Sequence, residues 1–124
     1  MRAPRTRDQA YRVRRLRTRV RSFGTGDDMN EELHERIRAV VASVPEGTVA
    51  TYGDVAALAG ASTPRLVGRV LAEDGHDLPW HRVLRADGTP APHLAREQLA
   101  RLRAEGVLAD GQRVDLRRFR WRPL

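Results

Sequence analysis

Between Asn30 and Val44, apolar residues recur at Leu33, Ile37, Val40, Val41 and Val44. This is the three-to-four spacing of one helical face, and Pro45-Glu46-Gly47 closes the run. Thr48-Val49-Ala50-Thr51 is a short β-prone stretch. Thr51 and Asp54 have the spacing of a capping box, which predicts a helix through Leu58 stopped by Gly60. Thr63 reads as an N-cap with Pro64 at the first position of a further helix, which carries Leu66, Val67, Val70 and Leu71. Two short helices joined by a tight turn over 60–62 form a helix-turn-helix pattern.

The second half of the chain is less regular. Residues 74–79 read as a loop, His81 to Arg85 as a strand and Ala86-Asp87-Gly88-Thr89 as a turn, so a hairpin or wing is expected there. Pro92 to Glu105 predicts a helix with Leu94, Leu99 and Leu102 inward and Gly106 as its stop. Gln112 to Leu124 alternates around Val114, Leu116, Phe119 and Trp121, as a strand or extended coil would. The fold class expected is α+β, mainly α, a winged helix-turn-helix-like DNA-binding domain with short strands.

The 124 residues suffice for one modest domain. The formal charge is +7, but it is unevenly placed. Residues 1–28 hold nine arginines against Asp8, Asp27 and Asp28, whereas 29–124 hold fourteen against thirteen acids. The chain thus divides into a basic arm, 1–28, expected to be disordered, and a domain, 29–124. The arm has two open readings: a DNA-gripping extension, or a segment of no consequence upstream of a true start at Met29. In the domain, affinity for a polyanion has to come from where charge sits rather than from its amount. No apolar run approaches a membrane span, and no secretory signal pattern is present, so a cytoplasmic location is expected, nucleoid-associated for a DNA-binding chain, and one DNA-facing surface on a small domain is compatible with a monomer. There is no cysteine, which removes disulfides, thiolate metal sites and thiol nucleophiles. His34, His76 and His93 lack metal-ligand spacing, so neither metal nor cofactor is expected.

Three segments carry a resemblance: Pro45-Glu46-Gly47-Thr48-Val49-Ala50-Thr51-Tyr52-Gly53-Asp54-Val55-Ala56, then Pro64-Arg65-Leu66-Val67-Gly68-Arg69, then Leu78-Pro79-Trp80-His81-Arg82-Val83. In motif, order and spacing they resemble the DNA-binding domain of O6-alkylguanine-DNA alkyltransferases across roughly residues 29–124. In those enzymes the last motif reads Pro-Cys-His-Arg and its cysteine accepts the alkyl group. Here Trp80 stands in that position. With the closing Arg120-Trp121-Arg122-Pro123, the substitution looks like that of the alkyltransferase-like group, which binds alkylated DNA without repairing it. The enzymes also carry an N-terminal ribonuclease-like domain, in whose place this sequence has the basic arm.

The resemblance implies a lesion pocket of Trp80, Tyr52, His81 and Val83, an arginine finger at Arg65, and a DNA-facing set of Thr51, Tyr52, Thr63, Pro64, Arg65, Gly68, Arg69, Ala72 and Arg82. The expected partners are double-stranded DNA containing O6-alkylguanine, met in the minor groove, and nucleotide excision repair proteins. Residue chemistry is consistent with these roles. Indole cannot accept an alkyl group as a thiolate does, but offers a broad apolar wall. Guanidinium is planar, stacks on bases and can fill the gap left by a rotated nucleotide. Small residues at 68 and 72 permit close approach to DNA. His81 has no thiol to activate and is expected to be structural, with Arg82 anchoring its loop. The family's pocket-closing segment is represented only by Pro90-Ala91-Pro92-His93 and is shorter.

Three other readings compete, of which an active alkyltransferase is disfavoured by the missing cysteine. A sequence-specific helix-turn-helix regulator would read base edges, although the absence of Asn and Gln over 64–72 argues against adenine readout. A glycosylase would need a placed carboxylate or lysine, and the chain has no lysine, while Asp77 and Asp87 read as loop acids.

Overall fold

The structure is a computed structural model that describes residues 30–123, so the basic arm lies outside it. The first helix, α1 (Glu31–Ser43), starts where Asn30 accepts the Leu33 N–H on its side-chain oxygen at 2.7 Å. Its expected apolar stripe is the buried one: Leu33, Ile37, Val40 and Val41, continued by Val44. Arg36 lies on the same side and is buried too. Its Nε donates to the Ala59 carbonyl at 2.8 Å, so a guanidinium caps the end of the next helix.

Strand β1 (Ala50–Thr51) leads directly into α2 (Tyr52–Ala59). The capping box is formed in both directions: Asp54 N–H donates to Thr51 Oγ1 at 3.0 Å, and Thr51 N–H donates to the Asp54 carboxylate at 3.1 Å. Gly60 ends the helix with φ +79°, a left-handed conformation that suits a residue without a side chain. Helix α3 (Pro64–Asp74) follows, with Pro64 in its first turn; Thr63 stands at the N-cap but makes no side-chain capping bond. Buried Val55, Ala56 and Ala59 of α2 meet Leu66, Val67 and Val70 of α3 against the α1 stripe, which makes one core.

The expected hairpin over 81–89 does not form. Instead a 3₁₀ turn (Trp80–Arg82) feeds β2 (Val83–Leu84), which pairs in parallel with β1 in the register Ala50 to Val83 and Thr51 to Leu84. The apolar residues at 83 and 84 are buried on a strand too short to alternate, so periodicity alone could not assign its partner. The antiparallel hairpin lies later, between β3 (Ala109–Asp110) and β4 (Arg113–Val114). A second 3₁₀ turn (Pro92–Leu94) precedes α4 (Ala95–Ala104), so the expected single helix begins late. Leu102 is buried as expected, whereas Leu94 and Leu99 are half-buried, and the inward face is completed by Ala95 and Gln98. Helix α4, β2, β4 and Val107 enclose a second core of Val49, Leu84, Leu102, Val107 and Val114.

Of the strand or extended coil expected over 112–124, β4 and the parallel bridge of Arg120 to Val49 form, but a short helix, α5 (Leu116–Phe119), capped by Asp115, interrupts them. It returns the chain to Val49, whose N–H donates to Phe119 O and whose carbonyl accepts from Trp121 N–H. Arg120 then clamps the Asp54 carboxylate through Nε at 2.9 Å and Nη2 at 3.0 Å. Burial alone would raise the Asp54 carboxyl, but Arg120 and Thr51 outweigh it and hold it below the usual range. Arg120→Ala is expected to lower stability by about 1 kcal/mol, the scale of one partly exposed charge-assisted pair, read as a lower denaturant midpoint. No helix among the described residues is long and apolar enough to cross a membrane.

Candidate lesion-recognition site

Helix α3 has two faces. Leu66, Val67 and Val70 point into the core, while Arg65, Gly68, Arg69 and Ala72 recur three and four apart on the outer side. Pro64, Arg65 and Arg69 are exposed. Among the described residues Arg65 has no ion-pair partner. Arg69 approaches Glu73 only at 3.8 Å with both side chains open to solvent, a contact of little energetic weight that leaves it available to phosphate.

The outer face of α3 meets α2 at Gly68. A Cβ built there would lie 3.9 Å from Tyr52 Cε1, so the tyrosine ring lies directly alongside the glycine. From this contact a cavity of about 520 Å³ opens. Tyr52, Gly68, Leu71 and Ala72 form one side, and Trp80 another. Gly75 and His76 from the end of α3, with Ala91, His93 and Leu94 from the second 3₁₀ turn, complete it. The volume lies in the range of sites that hold a small molecule. Burial raises the Tyr52 hydroxyl above its ordinary pKa, against the pull of nearby Arg85, so it is a neutral phenol.

Trp80 is held from behind. Arg101 of α4 places its guanidinium 5.4 Å from the indole centroid, and His81 meets the ring edge-on at 6.2 Å between centroids. The 3₁₀ turn that carries Trp80 is fixed by a carboxylate. Glu105, just beyond α4, accepts from His81 Nε2 at 2.8 Å and from Arg82 through Nε at 2.9 Å and Nη2 at 2.7 Å. Arg82 Nη1 also reaches the Val44 carbonyl at 2.8 Å, tying the turn to the end of α1. Burial by itself would raise the Glu105 carboxyl, but the hydrogen bonds from Arg82 and His81 outweigh it and bring it down to about 2. Gln98 adds donors to the His81 carbonyl at 3.0 Å and the Val83 carbonyl at 2.7 Å.

A histidine oriented by a half-buried glutamate is the arrangement of a general base. Here its neighbour is the Trp80 indole, and the same contacts hold the turn that carries it.

The structure thus brings Trp80, Tyr52, Gly68 and Ala72 together, and aligns Pro64, Arg65 and Arg69 on the adjoining surface. Four expected residues are placed otherwise. Val83 is buried on β2 because strand pairing turns it into the core, and it does not line the cavity. His81 is buried behind Trp80, drawn inward by Glu105. The Thr51 hydroxyl is occupied by the capping box in a buried position. Arg82 is committed to Glu105 and Val44 rather than turned to DNA, in line with its expected anchoring role. Sequence reasoning missed Glu105, Gln98 and Arg101, which lie far along the chain from Trp80 and belong to no motif. It also missed Leu71, His76 and Leu94 as cavity walls.

Over residues 32–107 the sequence matches the family of the 6-O-methylguanine DNA methyltransferase DNA-binding domain. The chain belongs to this family. Among its relatives, a DNA base-flipping protein of Escherichia coli is 45% identical over 101 residues, covering 76% of this chain and 78% of that protein. Alkyltransferase-like protein 1 of Schizosaccharomyces pombe is 30% identical over 106 residues, covering 75% of this chain and 97% of its own length. The fold is similar to the crystal structure of S. pombe Atl1 in complex with damaged DNA containing O6-carboxymethylguanine, with a TM-score of 0.68 and 28% identity over 77% of this chain and 99% of that one. Within the family this is an alkyltransferase-like member, and there is no cysteine anywhere in the chain.

Proposed function

We propose that this protein recognises O6-alkylguanine in duplex DNA and does not repair it. The observation that carries the reading is the cavity between Tyr52, α3 and Trp80, which has room for an extruded base, is largely apolar and has an inert indole where a nucleophile is required for alkyl transfer. The outer face of α3 enters the minor groove, where Gly68 and Ala72 allow the backbone close to the duplex and Arg69 meets phosphate. The damaged nucleotide rotates past Tyr52, and Arg65 enters the stack in its place. The O6 substituent then lies against Trp80. Pairing is already weakened at an alkylated guanine, so extrusion costs least there and the duplex itself contributes to selectivity.

A complex that performs no chemistry acts as a marker, and its lifetime on DNA is the signal passed to nucleotide excision repair. The relatives named for base flipping and for binding damaged DNA support this reading.

The test is binding to two duplexes that differ only by one O6-methylguanine, at fixed salt, followed by nucleoside analysis of the recovered DNA. At least tenfold preference for the damaged duplex with the lesion returned intact is the expected result. Equal affinity for both duplexes removes the reading in favour of a sequence-specific regulator, and loss of the methyl group or release of the base removes it in favour of an enzyme.

A further inference from the structure

Helix α4 has a flank on either side of its buried face. The paired Glu97 and Arg101 lie on the flank that braces Trp80. On the other, Arg96, Leu99, Ala100 and Arg103 recur at the three-to-four spacing of one helical stripe. Between this stripe and the segment entering β3 lies a groove of about 410 Å³, whose opposite wall includes Leu108 and Ala109. It shares no residue with the cavity beside Trp80.

The groove is apolar in the middle and cationic along its edge. Leu108 is 57% exposed, the most open large apolar side chain among the described residues. Leu99 is half-buried and Ala100 exposed, so the apolar surface faces water. Arg96 and Arg103 are exposed, and among the described residues neither side chain has a hydrogen bond or ion pair. No acidic side chain lines the groove. The acids of α4 and its end are committed elsewhere, Glu97 to Arg101 at 2.7 Å and Glu105 to His81 and Arg82. Two unpaired cations therefore stand two turns apart, about 10 Å along the helix, with apolar surface between them.

We infer that this groove docks an acidic amphipathic helix of a protein partner. Carboxylates two turns apart on that helix meet Arg96 and Arg103, and the apolar residues between them seat on Leu99, Ala100 and Leu108. A helix repeats over the same distance as α4, so acids at i and i+7 leave i+3 and i+4 to fill the middle. A nucleic-acid strand fits less well. It carries one phosphate per about 3.4 Å of axis, so two phosphates would lie over leucine and alanine with no donor to meet them. Opposite charges at the ends fix the register and speed the encounter, while burial of Leu108 favours the bound state. Docking there leaves the cavity beside Trp80 open and does not depend on what that cavity holds.

The test is selection of a random library of peptides of about 15 residues, four turns of helix, on the native protein. The Arg96→Glu, Arg103→Glu double variant serves as counter-target. Enriched peptides are expected to carry acids two turns apart with apolar residues between. The synthesised consensus peptide should bind the native protein about tenfold tighter than the double variant, and Leu108→Ser should weaken it as well. An unchanged melting temperature shows that the variants are folded, since the three side chains are exposed.

No enrichment, or enrichment without acidic residues, overturns the inference. Equal binding of the consensus peptide to the native protein and either variant does the same. A loss of duplex DNA binding in the double variant as large as its loss of the peptide makes the groove a phosphate track instead. Self-association of the native protein that the same substitutions abolish makes a second copy the occupant, and overturns the inference too.

Discussion

Glu105→Gln is expected to lower stability by about 2–3 kcal/mol at neutral pH, measured as a shift in the denaturation midpoint, with a melting temperature lower by on the order of 10 °C. The side chains of His81, Arg82 and Glu105 are only 10%, 16% and 14% exposed, so the carboxylate and its donors are largely removed from water. Breaking such a group from one side leaves Arg82 with its charge half-buried and its best acceptor gone. The carboxyl's fall from the ordinary 4.5 to about 2 corresponds to roughly 3 kcal/mol, which residual solvent screening trims. Because the folded-state pKa is depressed, this stability is fully present above pH 4.5 and is lost as pH falls from about 4.5 towards 2. The native protein therefore weakens through that window, while Glu105→Gln loses less, and the two stability curves converge towards its acid end. Parallel curves with equal stability at pH 7 would show that the carboxylate is not what holds the turn.

Local chemistry made the first half of the domain legible. The α1 stripe, the Thr51 and Asp54 capping box, the Gly60 stop and Pro64 at the start of α3 each depend on residues within a few positions of one another, and each forms as the pattern predicts. The β1 and β2 pairing, the hairpin over 109–114 and the turn into α5 rest on strands of two residues and on long-range contacts. A two-residue strand has too little length to show a period, and tertiary context decides its partner.

The candidate site divides the same way. Trp80, Tyr52, Gly68 and Ala72 could be named from motifs, because the cavity is built around them. Glu105 could not, since nothing near it in sequence distinguishes it from any other glutamate at a helix end. Its importance comes from lying 23 and 24 residues from Arg82 and His81 in sequence yet within hydrogen-bond reach. His93 entered the sequence reading as a histidine without metal-ligand spacing and as the end of a shortened pocket-closing segment, Pro90 to His93. The structure gives that segment a role, because Ala91, His93 and Leu94 supply the wall that closes it.

Trp80→Ala is expected to weaken binding to an O6-methylguanine duplex by about 10- to 100-fold while leaving binding to undamaged DNA nearly unchanged. Stacking on an aromatic side chain is worth about 1–3 kcal/mol per base, and only an extruded base reaches the indole. Arg65→Ala should act on the same duplex by a different route. Without a side chain to fill the stack, the rotated state loses its replacement partner and the cost of extrusion, a few kcal/mol, is less well offset.

Arg69→Ala is the contrast. A phosphate contact contributes to any duplex, so its loss weakens damaged and undamaged DNA alike and reduces the salt dependence by about one counterion. Lesion preference, rather than affinity, therefore separates the three variants. Trp80→Ala and Arg65→Ala should collapse it with little change in salt slope, and Arg69→Ala should preserve it with a shallower slope. If Trp80→Ala weakened both duplexes equally, the indole would be a general support of the fold, and the cavity beside it would lose its proposed guest.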